Sequence, residues 1–458
     1  MFGTNLRKAP RRWSCRAPRP GRALSGSRRA AKCPIPCAGL PLRSAGGHAV
    51  PVRRPGRGAG AAGSGRRRER AHAVLIAVPG PWKGAPERRA ARWKDVAKSG
   101  STSRLPDGTK SGAQLENERC VSFPSADLAG VSIRMNLANA RVIITGGLGL
   151  IGSTLARRLV DLGCDVLLID SMNANFGGNV FNIQAIRDRV RVNISDIRDV
   201  RGLHYLLRDC QFLFNLAGQT SHMDSMNAPF EDLEINCMAQ LSLLETCRTI
   251  NPHVRIVFAS TRQVYGKPQY LPVDEKHPVG PVDVNGINKI AGESYHILYH
   301  ANYGIPSTVL RLTNTYGPHM RIKDARQTFM GIWVRNLLER RAIELWGGRQ
   351  RRDFLYVDDA VEAFLAAATT PATVGKTFNI GGADVISLAE LASLMIEQVG
   401  GTVERKEFPR ERKLIDIGDY FTDDNAFRSV TGWQPDVHLR EGVDRTLSFY
   451  KMNARHYL

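Results

Sequence analysis

The amino-acid sequence predicts an α/β fold, a doubly wound parallel sheet followed by a smaller C-terminal α/β domain. Three observations predict it. Short apolar runs alternate with helical stretches from Arg141 to about Leu312. A glycine-rich turn joins the first apolar run to the first helix. No apolar run reaches the roughly 18 residues of a membrane-spanning helix, so no membrane partner is expected.

The elements follow in chain order. Arg141–Thr145 (RVIIT) reads as the first strand and Ser153–Leu162 as a helix. Val166–Asp170 (VLLID) and Val190–Ile194 are the next two strands. Phe212–Ala217 and Arg255–Ser260 follow, separated by a Leu-rich helix from about Asn236 to Cys247. Thr308–Leu312 is a further strand. Strands that alternate with helices pair in parallel, because each parallel connection must cross over, and the helices then cover both faces. After about Gly317 the alternation fades into a mixed region that ends in a helix over Leu439–Tyr450. The expected division is 1–134 as an extension, 135–317 as the main sheet domain and 318–458 as mostly the smaller domain.

Charge separates the extension from the rest. The 458 residues carry 64 Lys+Arg and 43 Asp+Glu. Residues 1–134 hold 28 of the basic and 7 of the acidic residues, so the excess of +21 lies there and the remaining 324 residues balance at 36 of each. The first acidic residue is Glu69, and runs such as Arg66-Arg67-Arg68 sit among Pro, Gly, Ala and Ser. Such a segment buries too little apolar surface to offset its conformational entropy. Three readings are open: a disordered basic tail, an organelle transit peptide, or translated sequence upstream of Met135. A disordered or non-native extension is favoured. Nucleic-acid binding is disfavoured, because aromatics are scarce and no binding module is visible. Cys15, Cys33, Cys37 and Cys120 lie in this extension, and Cys33-Pro-Ile-Pro-Cys37 lacks a second ligand pair, so no metal site is expected. Cys164, Cys210, Cys237 and Cys247 fall mostly in apolar patterns and read as free thiols in a reducing compartment, the cytoplasm.

The turn after the first strand is Thr145-Gly146-Gly147-Leu148-Gly149-Leu150-Ile151-Gly152. Glycines let this turn be tight and let its backbone approach a pyrophosphate, which then faces the helix N-terminus. Asp170 follows Gly152 by 18 residues, at the end of the next strand, where a carboxylate accepts hydrogen bonds from ribose hydroxyls and repels a 2′-phosphate. No Arg follows Asp170 closely, which favours NAD over NADP. Strand, turn, helix and carboxylate together predict a Rossmann-type dinucleotide site.

The spacing of Gly146, Gly149 and Gly152 resembles that of the extended short-chain dehydrogenases/reductases, specifically the NAD-dependent nucleotide-sugar epimerases and dehydratases. The resemblance runs over about residues 140–450. Asp196-Ile197-Arg198-Asp199 resembles the segment that holds the adenine, and Asn215-Leu216-Ala217-Gly218-Gln219 the strand that lines the cofactor. Ser260-Thr261-Arg262-Gln263-Val264-Tyr265-Gly266 is similar to the active-site strand. Arg311–Pro318, Gly348–Phe354 and Val357-Asp358-Asp359 resemble the parts that grip a nucleoside diphosphate. The resemblance implies that NAD transiently oxidises a nucleoside-diphosphate sugar and that the working form is a homodimer. It implies cofactor contacts at Gly146, Gly149, Leu150, Ile151, Gly152, Asp170, Asp196, Ile197, Leu216, Ala217 and Lys289. It implies substrate contacts at Gln219, Asn314, Gln350 and Arg352.

In that family a Tyr, with its pKa lowered by a Lys four residues later, removes the hydroxyl proton while a Ser or Thr binds the same oxygen. Here Thr261 and Lys289 stand in place, but the Tyr position is Asn285. A carboxamide cannot act as a base, so a non-oxidising protein that binds NAD and a nucleotide sugar, as a regulator or structural partner, stands as the alternative reading. Lys289 and His222 remain as candidates for that role, with His222 also readable as a hydrogen-bonding residue behind the site. The Asp-Glu pair of the 4,6-dehydratases falls on Arg262 and Gln263, which disfavours dehydration and leaves epimerisation as the leading class. Arg352 offers a planar fork suited to a diphosphate, or alternatively a salt bridge to Asp353 or Asp358. Where the family often has an Arg shortly before Gly418-Asp419, Asp416 stands instead, with Arg412 the nearest substitute. Arg321, Lys323 and Arg326 read equally as a phosphate contact or a solvated loop.

Overall fold

A computed structural model describes residues 137–458 other than Ala174, Glu411, Arg412 and Leu414. The basic extension, its four cysteines and Arg412 therefore lie outside the described residues.

Seven strands form one parallel sheet: β1 (Arg141–Thr145), β2 (Asp165–Asp170), β3 (Arg191–Ile194), β4 (Phe212–Asn215), β5 (Arg255–Thr261), β6 (Ser307–Leu312) and β10 (Thr377–Ile380). Their order across the sheet is β10-β6-β5-β4-β1-β2-β3. Central strands such as β1, with Val142, Ile143 and Ile144 all buried, are apolar on both faces because helices cover both. The order reverses between β1 and β4. In doubly wound sheets a ligand crevice opens at such a reversal, beyond the carboxyl ends of the strands.

The covering helices are α1 (Leu150–Asp161), α2 (Val200–Leu206), α3 (His222–Asn227), α4 (Pro229–Leu233), α5 (Ala239–Ile250) and α6 (Val284–Tyr303). The expected Leu-rich helix comes as a five-residue π turn, Glu234–Met238, running into α5. Helix α1 begins three residues before the expected Ser153, since Gly149 is its N-cap.

After β7 (Asn314–Tyr316) come α7 (Phe329–Leu338), β8 (Ile343–Trp346), β9 (Arg351–Tyr356) and α8 (Val357–Thr369). Then follow β11 (Val385–Ser387), α9 (Leu388–Val399), β12 (Val403–Lys406), α10 (Asn425–Thr431) and α11 (Leu439–Asn453). Two small sheets, β11-β9-β7 and β12-β8, form the second lobe. Its core includes Trp333, Phe354, Met395 and Leu447. The lobes interleave: β10 returns to pair with β6, and Phe364 of α8 packs in the same core as Phe214 of β4. Among the described residues no helix is long and apolar enough to cross a membrane. Cys164, Cys210, Cys237 and Cys247 are free.

Candidate active site

A cavity of about 890 Å³ opens at the carboxyl ends of the parallel strands and continues beneath the second lobe. Every residue expected at the cofactor, the reacting sugar or the diphosphate lines it.

At one end lies the glycine turn. Gly146 has φ of 68° and sits against the Ala217 backbone, where an added Cβ would stand 3.0 Å from the Ala217 nitrogen. Gly152 is tighter, since its Cβ would fall 2.3 Å from the Gly146 carbonyl oxygen. Gly149 caps α1 in extended conformation with no side-chain hydrogen bond. The leading N–H groups of α1 thus face the cavity without a side-chain cap, as a bound pyrophosphate requires. The Thr145 hydroxyl donates to Asn215 Oδ1 at 2.9 Å and accepts from the backbone nitrogens of Leu216 and Ala217, both at 3.1 Å. This bond set ties the carboxyl end of β1 to that of β4 and fixes the cavity floor.

Asp170 closes β2. Its carboxylate accepts from Leu148 N–H at 3.0 Å and from Met172 N–H at 2.9 Å. Gly178 packs so close that a Cβ there would lie 2.7 Å from Asp170 Oδ1. Burial raises the Asp170 carboxyl above its ordinary range, opposed by the two backbone bonds. Further along, Ile197 is buried and Asp196 is gripped by Arg198 at 3.0 and 2.8 Å, a pairing that holds its carboxyl low.

The middle of the cavity brings together Thr261, Gln263, His222, Asn285 and Lys289. Lys289 Nζ donates to the Ala259 carbonyl at 3.0 Å and lies 4.8 Å from the centre of the Phe258 ring. Burial lowers its pKa to about 8, against the pull of Asp232 and Glu293. Asn285 spends its amide protons on the Gln219 carbonyl at 2.8 Å and on Asp232 Oδ2 at 3.1 Å. Asp232 is fully buried and is also held by the amides of Asn236 at 3.0 Å and Asn288 at 2.8 Å. Three carboxamides thus surround one carboxylate directly behind the Tyr position.

His222 Nδ1 stands 2.9 Å from Asp283 Oδ2, and its Nε2 lies 2.7 Å from the Gln263 amide nitrogen. Asp283 is the N-cap of α6 and accepts from Gly286 N–H at 2.7 Å. Burial alone would raise its carboxyl, but the His222 hydrogen bond and charge, Gly286 N–H and Arg262 hold it below its usual range.

At the far end are Asn314, Gln350 and Arg352. Arg352 pairs with Asp416 at 3.6 Å, not with Asp353 or Asp358, and donates to the carbonyls of Arg351 and Gly418. Asp353 is engaged instead by the Thr313 hydroxyl at 2.5 Å. Arg321 pairs with Asp324 at 2.7 Å and Arg326 with Asp224 at 3.1 Å, so these two cations of the basic cluster have carboxylate partners.

Sequence reasoning did not single out Asp232 or Asp283. Asp283 had a local signal, a carboxylate three residues before an amide it could cap. Asp232 had none, because its partners come from two separate helical segments.

Comparison with known proteins follows the same lines. Residues 142–381 match the family model described as the NAD dependent epimerase/dehydratase family. The chain is 32% identical over 317 residues to a putative UDP-glucose 4-epimerase of Methanocaldococcus jannaschii, covering 69% of this chain and 99% of that one. UDP-glucose 4-epimerase of Thermotoga maritima, solved with UDP-glucose, superposes with a TM-score of 0.64 at 27% identity, over 69% of this chain and 99% of that one. UDP-glucuronic acid 4-epimerase of Bacillus cereus, solved with UDP-glucuronic acid and NAD, gives 0.62 at 26%, over 68% and 99%. With its glycine cradle and Asp170 fitting the dinucleotide, this chain belongs to the NAD-dependent epimerase/dehydratase family, and NAD is its cofactor.

Proposed function

We propose that the protein epimerises a nucleoside-diphosphate sugar through transient oxidation, in a site where Asn285 replaces the usual Tyr. One observation carries the proposal: Thr261, Asn285 and Lys289 lie in the same cavity as the glycine turn and Asp170 at one end and Arg352 at the other. NAD held in the cradle would supply the oxidation, as acceptor and later donor of the hydride at the inverted carbon.

The chain's own residues divide the remaining work. Gly146, Gly149, Leu150, Ile151 and Gly152 hold the pyrophosphate. Asp170 holds the adenosine ribose, Asp196 and Ile197 the adenine, Leu216 and Ala217 the cofactor's inner face, and Lys289 the nicotinamide ribose. Asn314, Gln350 and Arg352 hold the sugar nucleotide's diphosphate, with Gln219 at the sugar. Thr261 binds the reacting hydroxyl. Asn285 positions Gln219 through its backbone carbonyl and leaves only Oδ1 for the sugar.

Proton removal falls to His222. Its Nδ1 lies 2.9 Å from Asp283 Oδ2, close to the arrangement of a general base with an orienting carboxylate, and its Nε2 can accept once a sugar hydroxyl replaces the Gln263 amide. Lys289 is less suited, since its Nζ is turned to the Ala259 carbonyl. Positions 262 and 263, Arg and Gln, supply no acid–base pair for dehydration. A homodimer belongs to the same proposal: Ile287 and Leu298, eleven residues apart on one face of α6, and Met238 are all exposed. Free, buried thiols at Cys164, Cys210 and Cys247 support a reducing compartment, the cytoplasm.

The test is incubation of the chain and NAD with UDP-glucose, UDP-glucuronic acid and UDP-N-acetylglucosamine, followed by proton NMR. An inverted ring carbon is expected. Loss of water with no epimer formed would replace epimerisation with dehydration, and unchanged sugars would favour a protein that binds both ligands without turnover.

A further inference from the structure

Four side-chain cations line the cavity, and three have a partner or a place in the proposed chemistry. Arg326 pairs with Asp224 at 3.1 Å and Arg352 with Asp416 at 3.6 Å. Lys289 donates to the Ala259 carbonyl. Arg262 stands apart. Its Nη2 donates to Asn314 Oδ1 at 2.9 Å and its guanidinium lies 5.1 Å from the centre of the Tyr420 ring. Its Nη1 is shut off from solvent and has no hydrogen-bond partner, and among the described residues no carboxylate pairs with it. A half-buried cation with no paired carboxylate is costly: Asp353, Asp283 and Asp416 lie near enough to favour its charge, but desolvation outweighs them, and a second guanidinium, Arg352, is near enough to feel its repulsion. Desolvation accordingly lowers the pKa of both.

Position and chemistry say what would satisfy it. Arg262 directly follows Thr261, which holds the reacting hydroxyl in the proposed site, so it extends from the sugar end of the cavity toward Asn314. A planar fork with an unused N–H is suited to a carboxylate or phosphate oxygen. Arg262 itself lines the cavity, together with Thr261 and Asn314.

We infer that Arg262 binds an oxyanion carried by the substrate, so that the protein selects a nucleotide sugar with an acidic group within reach of the residue after Thr261. This rests on the nucleotide-sugar reading above and adds to it. Two oxyanions share the required chemistry, a carboxylate on the sugar ring and the phosphate next to the sugar. The carboxylate is favoured, because Arg352, Asn314 and Gln350 already serve the diphosphate.

The experiment is calorimetric titration of the full, NAD-loaded chain with UDP, UDP-glucose and UDP-glucuronic acid, for wild type and Arg262→Met. Wild type is expected to bind UDP-glucuronic acid about tenfold or more tighter than UDP-glucose, as one charge-assisted hydrogen bond allows. In Arg262→Met that preference should vanish while the ratio of UDP to UDP-glucose affinity stays unchanged. An equal loss for all three ligands would support the same residue role with phosphate as the anion. Wild-type affinities retained throughout by Arg262→Met would overturn the inference.

If wild type binds none of the three, the uridine nucleotide reading fails, and thermal melting still decides the inference. Without ligand, Arg262→Met should melt no lower than wild type, since the desolvation it relieves outweighs the Asn314 bond it removes. Sodium pyrophosphate should then raise the melting temperature of wild type more than that of the variant. A lower-melting variant with an equal pyrophosphate shift would make Arg262 a structural side chain and overturn the inference.

Discussion

Asp170 is where the choice of cofactor can be tested most sharply, through Asp170→Ala. Its carboxylate does two things at once. It accepts backbone N–H bonds from Leu148 and Met172 at 3.0 and 2.9 Å, and it faces the cavity beside the glycine turn. Removing it leaves two amides without their acceptor, at about 1–3 kcal/mol for each one that stays buried. The carboxylate lines the cavity, so water replaces part of the loss, and a net destabilisation of about 2 kcal/mol is expected. The bond from a ribose hydroxyl to a carboxylate contributes about 1.5–3 kcal/mol, so NAD affinity should fall at least about tenfold. NADP, whose 2′-phosphate is repelled by the wild-type carboxylate, should lose little. Calorimetric titration of both cofactors, with chemical denaturation alongside, reads each quantity. Wild type binding NADP as tightly as NAD, or a variant with an unchanged NAD-to-NADP ratio, would refute the reasoning.

Three further predictions concern the turn, the lysine and the missing base. Gly152→Ala places a Cβ 2.3 Å from a backbone oxygen that no side-chain rotation can move, so α1 must shift; a cost of about 1–3 kcal/mol and a sharp loss of NAD affinity are expected from melting and titration. Lys289 has its pKa lowered to about 8 by burial, against an ordinary 10.5. Between those values the unfolded chain binds more protons, so wild-type stability gains with rising pH. In NAD-free protein, Lys289→Met should therefore exceed wild type in stability at pH 7, by up to about 3 kcal/mol, and lose that advantage by about pH 10.5; a gap independent of pH would count against the buried, charged lysine. Asn285→Tyr removes one amide donor from buried Asp232 and should cost about 1–3 kcal/mol in urea denaturation, yet raise the rate of nicotinamide reduction by sugar in a single turnover if the phenol fits beside Thr261. If the variant binds both ligands but shows no gain over an already fast wild type, the proton route through His222 is favoured.

How far the sequence revealed this arrangement depended on what each segment buries. β1, β2, β4, β5 and β6 lie within a residue or two of their expected positions, because strands buried on both faces are written as continuous apolar runs. The glycine turn and Asp170 were legible for the same local reason, since strand, turn and next strand are adjacent in the chain. Helix α6 was not legible as a helix. Its buried residues include Asn285, Asn288, Lys289, Glu293 and His296, so the face that packs against the sheet is polar and shows no apolar period. Glu293 is satisfied there by Arg311 and the Ser260 hydroxyl, partners that lie on β6 and β5. β10 read only as part of the mixed C-terminal region, because nothing local marks it as the neighbour of β6 across some 65 residues of second lobe. Within the site, the conspicuous departure at Asn285 was plain in the sequence, but the carboxylate that holds it was not. The Asn285–Asp232 and His222–Asp283 contacts each join residues more than 50 positions apart.

The central claim is that the sugar is inverted through oxidation and return of the same hydrogen, within a site built from Thr261, His222 and bound NAD. The most direct measurement is to run the conversion in deuterium oxide with a sugar that the protein inverts and to read the inverted carbon by NMR and mass. Oxidation and hydride return predict an epimer that keeps its original hydrogen at that carbon, with no solvent deuterium. Deuterium at the inverted carbon would contradict the claim, because it would mean that a proton, and not a hydride, left and came back.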